Sequence, residues 1–376
     1  MYLPLNFRIF LKQSLILRLS NYCLYGWGAS FLMCFIAVPN SLYGNVRFSK
    51  FAGEFLSAGV GARPLGMGGA FVALADDGTA GYWNPAGLSS LRFSQIAFMH
   101  AEQFAGEVNY DYASIAIPYQ KKRTLSFSLI RLGIDNIPDT RNALLDYGLD
   151  GIPNTHDTGE GNGILDQGER LDVTRIKYFS NADYAFYASF AHARTTSFSY
   201  GGSIKIIRRA IGSNTAFGIG FDVGAQWRTN RKLIVGANLM DATSTLIAWN
   251  TGSRELISPT LKVGIAYPLS WKFIHGSLTP VIDSDVRFEN RGKSAQVAFG
   301  RASMDFHYGV EANIYHRVFL RTGYDDIKRF TAGAGVYVHK LNVDYSFSSF
   351  DSVEELGNTH RISITLSLDD PRFPKR

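Results

Sequence analysis

Two stretches of the sequence resemble ligand-binding motifs, and the first is GARPLGMGGAFVALADDGTAGYWNPAGLS at residues 61–89. Its glycines Gly66, Gly68 and Gly69 precede a mixed apolar run, as in a phosphate-binding loop. However, a P-loop ends in Gly-Lys-Ser/Thr and a dinucleotide-binding loop reads G-x-G-x-x-G, and neither spacing is present. We therefore interpret the glycines as sites of close backbone packing, and Asp76-Asp77-Gly78 and Asn84-Pro85 as turns.

The second stretch, DTGEGNGILDQGE at residues 157–169, spaces its oxygen-bearing side chains as a calcium-binding EF-hand loop does. Gly163 stands where such a loop turns sharply, but Thr158 occupies the first ligand position and no flanking helices are predicted. Calcium bound in this loop is one interpretation, and a solvated, acidic, glycine-rich surface loop is the other. The candidate ligands are Asp157, Glu160, Asn162, Asp166 and Glu169.

Catalytic constellations are not recognisable in the sequence. The histidines are scattered without an H-E-x-x-H pair, and Ser57 and Ser90 lie in no G-x-S-x-G elbow. A triad assembled from distant strands would leave no such spacing, but the sequence predicts a non-enzymatic protein with no cofactor apart from the candidate calcium. The formal net charge of +6 is not gathered into a basic stripe, so no nucleic-acid partner is expected.

The rest of the sequence predicts mainly β-strands. In FGIGFDVGAQWR at residues 217–228, Phe, Ile, Val, Ala and Trp alternate with Gly, Asp, Gln and Arg. A period of two places the apolar residues on one face of a strand and the polar residues on the other. A soluble sandwich would point the apolar faces at a core, whereas an outer-membrane barrel would point them at lipid. Segments of nine to twelve residues favour the barrel, because a tilted membrane-crossing strand needs about 9 to 11.

About fourteen antiparallel strands are predicted, an even number that places both termini at one end of the barrel. Aromatic residues at strand ends, such as Tyr110 and Trp227, fit the girdles of a membrane barrel. The predicted strands begin near Gln95, Tyr110, Thr124, Asp183, Ser197, Ala216, Leu233, Pro259, Ser277, Asp305, Val318, Thr331, Leu341 and Thr359. The polar residues expected to face the lumen are Lys205, Asp222, Arg228, Glu311, Arg321 and Asp344. A salt-bridged interior and a conduit lining are both compatible with them.

The N-terminus predicts export. Residues 1–44 contain an early basic region and an apolar run over residues 22–38, in the order of a cleaved signal peptide; an uncleaved anchor helix or a start at Met33 is the alternative. Both cysteines, Cys23 and Cys34, lie there, so the exported chain would have no thiols. The expected location is the outer membrane of a Gram-negative-type bacterium, with outer-membrane lipid around the barrel.

Three further segments complete the expected organisation. Residues 45–92 form a glycine-rich plug inside the barrel, or a short hairpin against its rim. Residues 93–368 form the barrel, with a long extracellular loop at 135–181, and residues 369–376 form a C-terminal tail. The expected fold class is therefore an all-β, transmembrane outer-membrane barrel with an N-terminal plug.

The stretch at 61–89 resembles the N-terminal signature of the PorV/PorQ proteins, distant relatives of the FadL outer-membrane transporters. HYGVEANIYHRVFLRTGYD at 307–325 and LGNTHRISITL at 356–366 agree with that resemblance. The resemblance implies a fourteen-stranded barrel whose N-terminal segment occupies the lumen. The matching signature residues are Gly66, Gly68, Gly69, Asp76, Asp77, Asn84, Pro85, Ala86 and Gly87.

The resemblance implies two functions. PorV-like members act in type IX protein secretion or surface attachment, and their partners are translocon subunits or the C-terminal signal domains of cargo proteins. FadL-like members are channels for the uptake of hydrophobic small molecules. The first is the expected function here and the second is the alternative.

Overall fold

The structure, a computed structural model, describes residues 46–48, 53–349 and 358–368. The expected signal peptide with Cys23 and Cys34, and the expected tail at 369–376, lie outside the described residues. Within the described part of the chain, no helix is both long and apolar enough to cross a membrane.

The chain forms a closed barrel of fourteen antiparallel strands, as predicted. Each strand pairs with its neighbours in the sequence, and the last strand closes the ring by pairing with the first, Leu368 opposite Ser94. The strands are β1 (Ser94–Gln103), β2 (Val108–Gln120), β3 (Arg123–Asp139), β4 (Lys177–Ala193), β5 (Phe198–Ile211), β6 (Asn214–Arg228), β7 (Ile234–Met240), β8 (Thr260–Ala266), β9 (Gly276–Arg287), β10 (Ala302–Ile314), β11 (Val318–Tyr324), β12 (Phe330–Val338), β13 (Leu341–Ser348) and β14 (Thr359–Leu368).

The alternation in the sequence separates the two surfaces of the barrel. In β6, Ile219 and Val223 are exposed on the outer surface, whereas Asp222 and Gln226 are buried inside. The soluble sandwich is therefore wrong for this chain, because its apolar faces would have to meet each other. Apolar side chains standing outward around a closed barrel form the surface that hydrocarbon covers in a membrane.

One aromatic residue expected at an outer girdle points inward instead. Tyr110 is fully buried, because it shares a face of β2 with the inward residues Tyr112 and Ser114. Trp227 and Tyr324 are exposed at strand ends, as a girdle requires.

The two ends of the barrel differ. At the turn end, where β14 finishes, the connections are mostly short, as between Gln120 and Arg123. At the loop end lies the longest connection, residues 140–176. It is shorter than the predicted 135–181, because β3 and β4 extend to seventeen residues each and continue pairing past a bulge up to Asp139 opposite Lys177.

Short elements accompany the barrel strands. Inside the long loop, Leu144–Leu145 pairs with Arg170–Leu171. The remaining short strands are Val46–Phe48, Thr245–Trp249, Arg254–Ile257, Leu269–Trp271 and Val297–Phe299. The α-helical turns are Glu54–Ser57, Ala62–Leu65 and Ala80–Trp83, and the 3-10 turns are Pro85–Ser90, Phe104–Gly106, Val173–Arg175, Lys272–Ile274 and Gly292–Ser294.

The outer surface predicts a position-dependent cost for charge. Ile282 in β9 is 53% exposed, and Ile152 in the long loop is 57% exposed. In a bilayer, Ile282→Arg should lower the free energy of unfolding by about 2–4 kcal/mol, and so destabilise the barrel, because the guanidinium would enter hydrocarbon. Ile152→Arg should change it by less than about 0.5 kcal/mol, as surface substitutions usually do. Urea titration of the barrel in lipid vesicles measures the free energy of unfolding of both variants, with the folded fraction read from heat-modifiable gel mobility. Equal destabilisation by the two substitutions would contradict contact of Ile282 with lipid.

Candidate functional site

The plug, residues 53–92, lies inside the barrel rather than against its rim. It contains three four-residue helical turns and one 3-10 turn, and much of its backbone is irregular. Its apolar side chains are buried, with Trp83 edge-on to Phe71 at 6.2 Å and to Tyr82 at 5.1 Å between ring centroids. Tyr82 in turn packs edge-on against Tyr187 of the wall at 6.2 Å. The lumen is therefore filled by an apolar core shared between plug and wall.

Wall side chains supply hydrogen bonds that the irregular plug backbone cannot make internally. The Asp283 carboxylate accepts from the backbone N–H groups of Phe71 at 2.6 Å and Val72 at 2.7 Å. In the other direction, from wall donor to plug acceptor, Gln226 Nε2 donates to the Ala73 carbonyl at 2.6 Å. Because buried backbone groups need partners, each such bond fixes the position of a plug segment.

These bonds run around the barrel. Ser363 Oγ on β14 accepts from the Ala62 N–H at 2.8 Å, and Thr331 Oγ1 on β12 donates to the Gly66 carbonyl at 3.1 Å. Tyr112 and Ser114 on β2 donate to the Gly78 carbonyl. Ser203 on β5 donates to the Gly81 carbonyl at 3.0 Å and Asn238 on β7 to the Trp83 carbonyl at 3.0 Å. The plug is held from many sides at once.

Asn84 of the signature joins the plug to itself and to the wall. Its side-chain amide is fully buried and donates to the carbonyls of Val72 at 2.9 Å and Ala225 at 3.1 Å. Its Oδ1 accepts from the Ala86 N–H at 3.2 Å and so caps the 3-10 turn that begins at Pro85. Asparagine followed by proline is a strong start for such a turn, because proline needs no N–H partner there.

The signature glycines are places of close approach. A Cβ at Gly87 would lie 1.9 Å from the Ala75 carbonyl oxygen. Gly68 has a φ of +66° and lies against the backbone of Tyr324, and Gly69 has a φ of +80°. Gly66 lies against Gly333 of β12. These positions reflect packing, as the sequence predicted, rather than phosphate binding.

The barrel wall also uses glycine where the plug touches it. A Cβ at Gly323 would lie 2.2 Å from the Met67 carbonyl carbon, and one at Gly236 would lie 2.3 Å from the Val72 carbonyl oxygen. The wall glycines within such reach of plug atoms are Gly201, Gly224, Gly236, Gly264, Gly309, Gly323 and Gly333. Sequence reasoning missed this role, although the inward glycines of β6 carried the signal.

Ion pairs connect the plug to the wall through Arg63. Its guanidinium contacts Glu311 of β10 at 2.8 Å, Asp76 at 2.6 Å and Asp77 at 3.2 Å. Burial disfavours the charge, but the three carboxylates together raise the pKa of Arg63 well above its usual value. Glu311 also accepts from Arg321 at 2.7 Å. Arg63 is therefore a charged anchor between plug and wall.

The other predicted lumen residues are also paired. Arg321 contacts Asp344 at 2.6 Å, and Lys205, fully buried, contacts Asp222 at 3.0 Å and Asp241 at 2.7 Å. Of the six predicted residues only Arg228 is exposed, and it donates to Ser90 Oγ at 3.1 Å at the turn end. Desolvated charges of this kind persist because each has a close partner of opposite sign.

A cavity of about 170 Å³ lies between the plug and the loop end. Its apolar lining includes Tyr82 and Trp83 of the plug and Met240 of the wall. Its polar lining includes Lys205, and also Arg361, which is 4% exposed and donates to Ser348 Oγ at 3.0 Å. Further acidic and basic side chains, such as Lys262 and Asp285, also line the cavity, so a molecule bound there would need polar groups as well as an apolar part.

The barrel wall beside this cavity is interrupted. The ladder between β7 and β8 stops at Met240 opposite Thr260 and resumes at Thr245 opposite Ile257. Asp241 and Ser244, at the ends of the intervening turn, have φ values of +53° and +57°, a strained region for residues other than glycine. The cavity is lined by residues on both sides of this gap, and no feature of the sequence predicted it.

The candidate calcium ligands do not converge. Glu160 accepts from the backbone N–H of His156 at 2.5 Å, Glu169 from Gly148 at 2.8 Å and Asp157 from Asp150 at 2.9 Å. Asp166 accepts from the Asn162 side chain at 2.7 Å. In the described residues, no group of three or more His, Cys, Asp or Glu side chains is arranged to hold a metal ion. Calcium binding stays a prediction, and it would require these carboxylates to exchange their present donors for the ion.

Two solved structures are similar to this chain. One is a FadL homologue from Pseudomonas aeruginosa, with 10% identity, a TM-score of 0.50, and coverage of 82% of this chain and 98% of that one. The other is the CymD monoaromatic hydrocarbon channel, with 12% identity, a TM-score of 0.51, and coverage of 83% and 98%. No family model matches the sequence, and no curated protein matches it. At these identities the likeness shows a shared barrel fold alone.

The contact between plug and wall can be tested at a wall glycine. Gly323→Ala should displace the Met67 segment, because its Cβ would overlap plug backbone, and overpacking of this kind costs about 1–3 kcal/mol. Gly202→Ala is the matched control, since its Cβ would meet only the Asp222 carbonyl oxygen, at 3.3 Å. With a reporter Ala70→Cys in the plug of a Cys23- and Cys34-free chain, maleimide labelling should accelerate about fivefold or more in Gly323→Ala. Unchanged labelling in Gly323→Ala, or equal acceleration in the control, would contradict the close contact.

Proposed function

We propose that the chain is a non-enzymatic outer-membrane channel that admits hydrophobic small molecules. The observation that carries this proposal is the cavity above the plug, lined by Trp83 and Met240 and bordered by the interruption between β7 and β8. A pocket that is partly apolar and adjoins an interruption of the wall provides both a binding site and a lateral exit for the solute.

The chemistry of a hydrophobic solute favours a lateral route. A hydrophobic molecule bound above the plug gains nothing by continuing through water, whereas the hydrocarbon outside the wall solvates it well. The strained turn at Asp241–Ser244 interrupts the ladder between β7 and β8 beside the cavity. The fold shared with a monoaromatic hydrocarbon channel supports this proposal by analogy.

The plug is the gate of this channel. Its many backbone bonds to the wall close the lumen toward the turn end, and Arg63 ties it to Glu311 at 2.8 Å. Uptake therefore requires a shift of the plug that opens the cavity, or a widening of the wall gap beside it. A covalent lock distinguishes these two movements.

A reversible disulfide between plug and wall provides the test. A Cβ at Gly78 of the plug would lie 3.5 Å from the Cβ of Ala97 on β1, within the usual range for a disulfide. In a Cys23- and Cys34-free background, Gly78→Cys/Ala97→Cys should slow uptake of radiolabelled toluene or a long-chain fatty acid by Gram-negative cells at least about tenfold when oxidised. Reductant should restore it, and the two single-cysteine variants serve as controls.

The outcomes separate the parts of the proposal. Unchanged uptake by the oxidised pair would contradict plug gating and leave the wall gap as the moving part. If producing the wild-type chain does not increase entry of either probe into cells that lack such a channel, the transport proposal itself fails.

A second candidate function, cargo binding in type IX secretion of the PorV/PorQ kind, is favoured by a different observation. The long loop exposes the apolar side chains Leu149, Ile152, Ile164 and Leu165 around acidic turns. Exposed apolar residues on a long loop suit a protein partner such as a C-terminal signal domain. The filled lumen is compatible with this function, because cargo would bind outside the barrel.

Replacing these four loop residues tests the second candidate. The variant Leu149→Asn/Ile152→Asn/Ile164→Asn/Leu165→Asn should keep wild-type uptake of the hydrophobic probes, because the loop lies away from the plug. Pull-down from detergent extracts compares the variant with the wild type. Loss of co-purified cargo or translocon subunits, with uptake absent in both, would overturn the transport proposal in favour of secretion.

A further inference from the structure

Among the described residues, the connections between strands at the turn end carry cations without carboxylates. The turn between β2 and β3 contains Lys121 and Lys122, and the turn between β6 and β7 contains Arg231 and Lys232. Lys272 lies in the next connection at this end. Across the described turns of the turn end, the sequence contains no Asp or Glu. The long loop at the opposite end is rich in both.

An exposed aromatic residue accompanies the cations at each position around this end. Tyr119 precedes Lys121, and Trp227 precedes Arg228. In the connection after β8, Trp271 and Phe273 flank Lys272, and Phe273 is 86% exposed. The same pairing recurs as Phe93 with Arg92, Phe198 with Arg194, Tyr315 with Arg317, and Tyr337 with Lys340.

Such a repeating pair matches the chemistry of a membrane–water interface. Aromatic rings prefer the depth of the lipid headgroups, and lysine and arginine side chains reach from there to phosphate. A basic patch for a protein partner would be confined to one side of the rim. Here the cations follow the whole circumference, as a surrounding ring of lipids does.

One recess at the turn end lies at the luminal mouth of the barrel, between the plug and the wall. Lys121, Lys122 and Arg228 surround a recess of about 270 Å³, together with the hydroxyl groups of Ser89 and Ser90. Arg228 donates to Ser90 Oγ at 3.1 Å, which positions its guanidinium at the recess. Cations and hydroxyl donors without a carboxylate form a site for an anionic oxygen group.

We propose that the turn end is a collar for anionic phospholipids, in which the cations of the turns bind headgroup phosphates and the adjacent aromatic residues lie at headgroup depth. The collar goes beyond the proposed transport function and is independent of what crosses the lumen. It requires only that the barrel lies in a bilayer. Each lysine or arginine near a lipid surface contributes roughly 1 kcal/mol, or about a fivefold change in binding.

Native mass spectrometry of the full-length barrel with an equal mixture of phosphatidylglycerol and phosphatidylcholine tests the collar. We expect the wild type to prefer bound phosphatidylglycerol, and the variant Lys121→Gln/Lys122→Gln/Arg228→Gln to lose that preference by at least about fivefold. The matched control is Lys293→Gln/Arg301→Gln/Lys328→Gln, which removes the same charge from exposed positions at the loop end and should retain the preference.

A second measurement needs no variant. Raising the ammonium acetate concentration should weaken the preference of the wild type, because screening reduces attraction between exposed charges. Absence of the preference in the wild type would overturn the collar and would instead fit an acidic protein partner. Retention of the preference in the turn-end variant, or its equal loss in the loop-end control, would also overturn it.

Discussion

Hydrogen bonds from wall side chains to the plug backbone determine which residues the inner face of the barrel can carry. The plug has little regular secondary structure, so buried groups such as the N–H of Phe71 need partners from elsewhere, and Asp283 provides one at 2.6 Å. This requirement places polar side chains on the inner face of the strands. It also explains why the glycines of the wall stand where the plug backbone comes closest.

The charges of the lumen follow from the same filling. With the plug in place Lys205 and Arg321 are buried, so each needs carboxylates within about 3 Å. Arg63 extends this network from the wall into the plug. The salt-bridged interior and the conduit lining are therefore not exclusive, because the paired Lys205 also lines the cavity above the plug.

The barrel was largely predictable from the sequence. Side chains alternate between the two faces of a strand whatever the strand pairs with, so a strand with one apolar face has an apolar residue at every second position. The β6 alternation and the even number of strands both followed from that period. The interruption of the β7–β8 ladder at Asp241–Ser244 was not predictable, since no sequence motif in that stretch marks the end of a strand. The inward position of Tyr110 depends on which face of β2 meets the plug. Pairing in the lumen joins residues as distant as Ala62 and Ser363, which spacing cannot show.

The wall glycines and polar groups impose an order on assembly. The partners of the plug are spread over strands from β1 to β14, and they encircle it only after Ser94 has paired with Leu368. Until then the N–H and C=O groups of the plug backbone must form their hydrogen bonds with water. The segment that is synthesised before the barrel strands can therefore complete its native hydrogen bonds only when the ring of strands has closed around it.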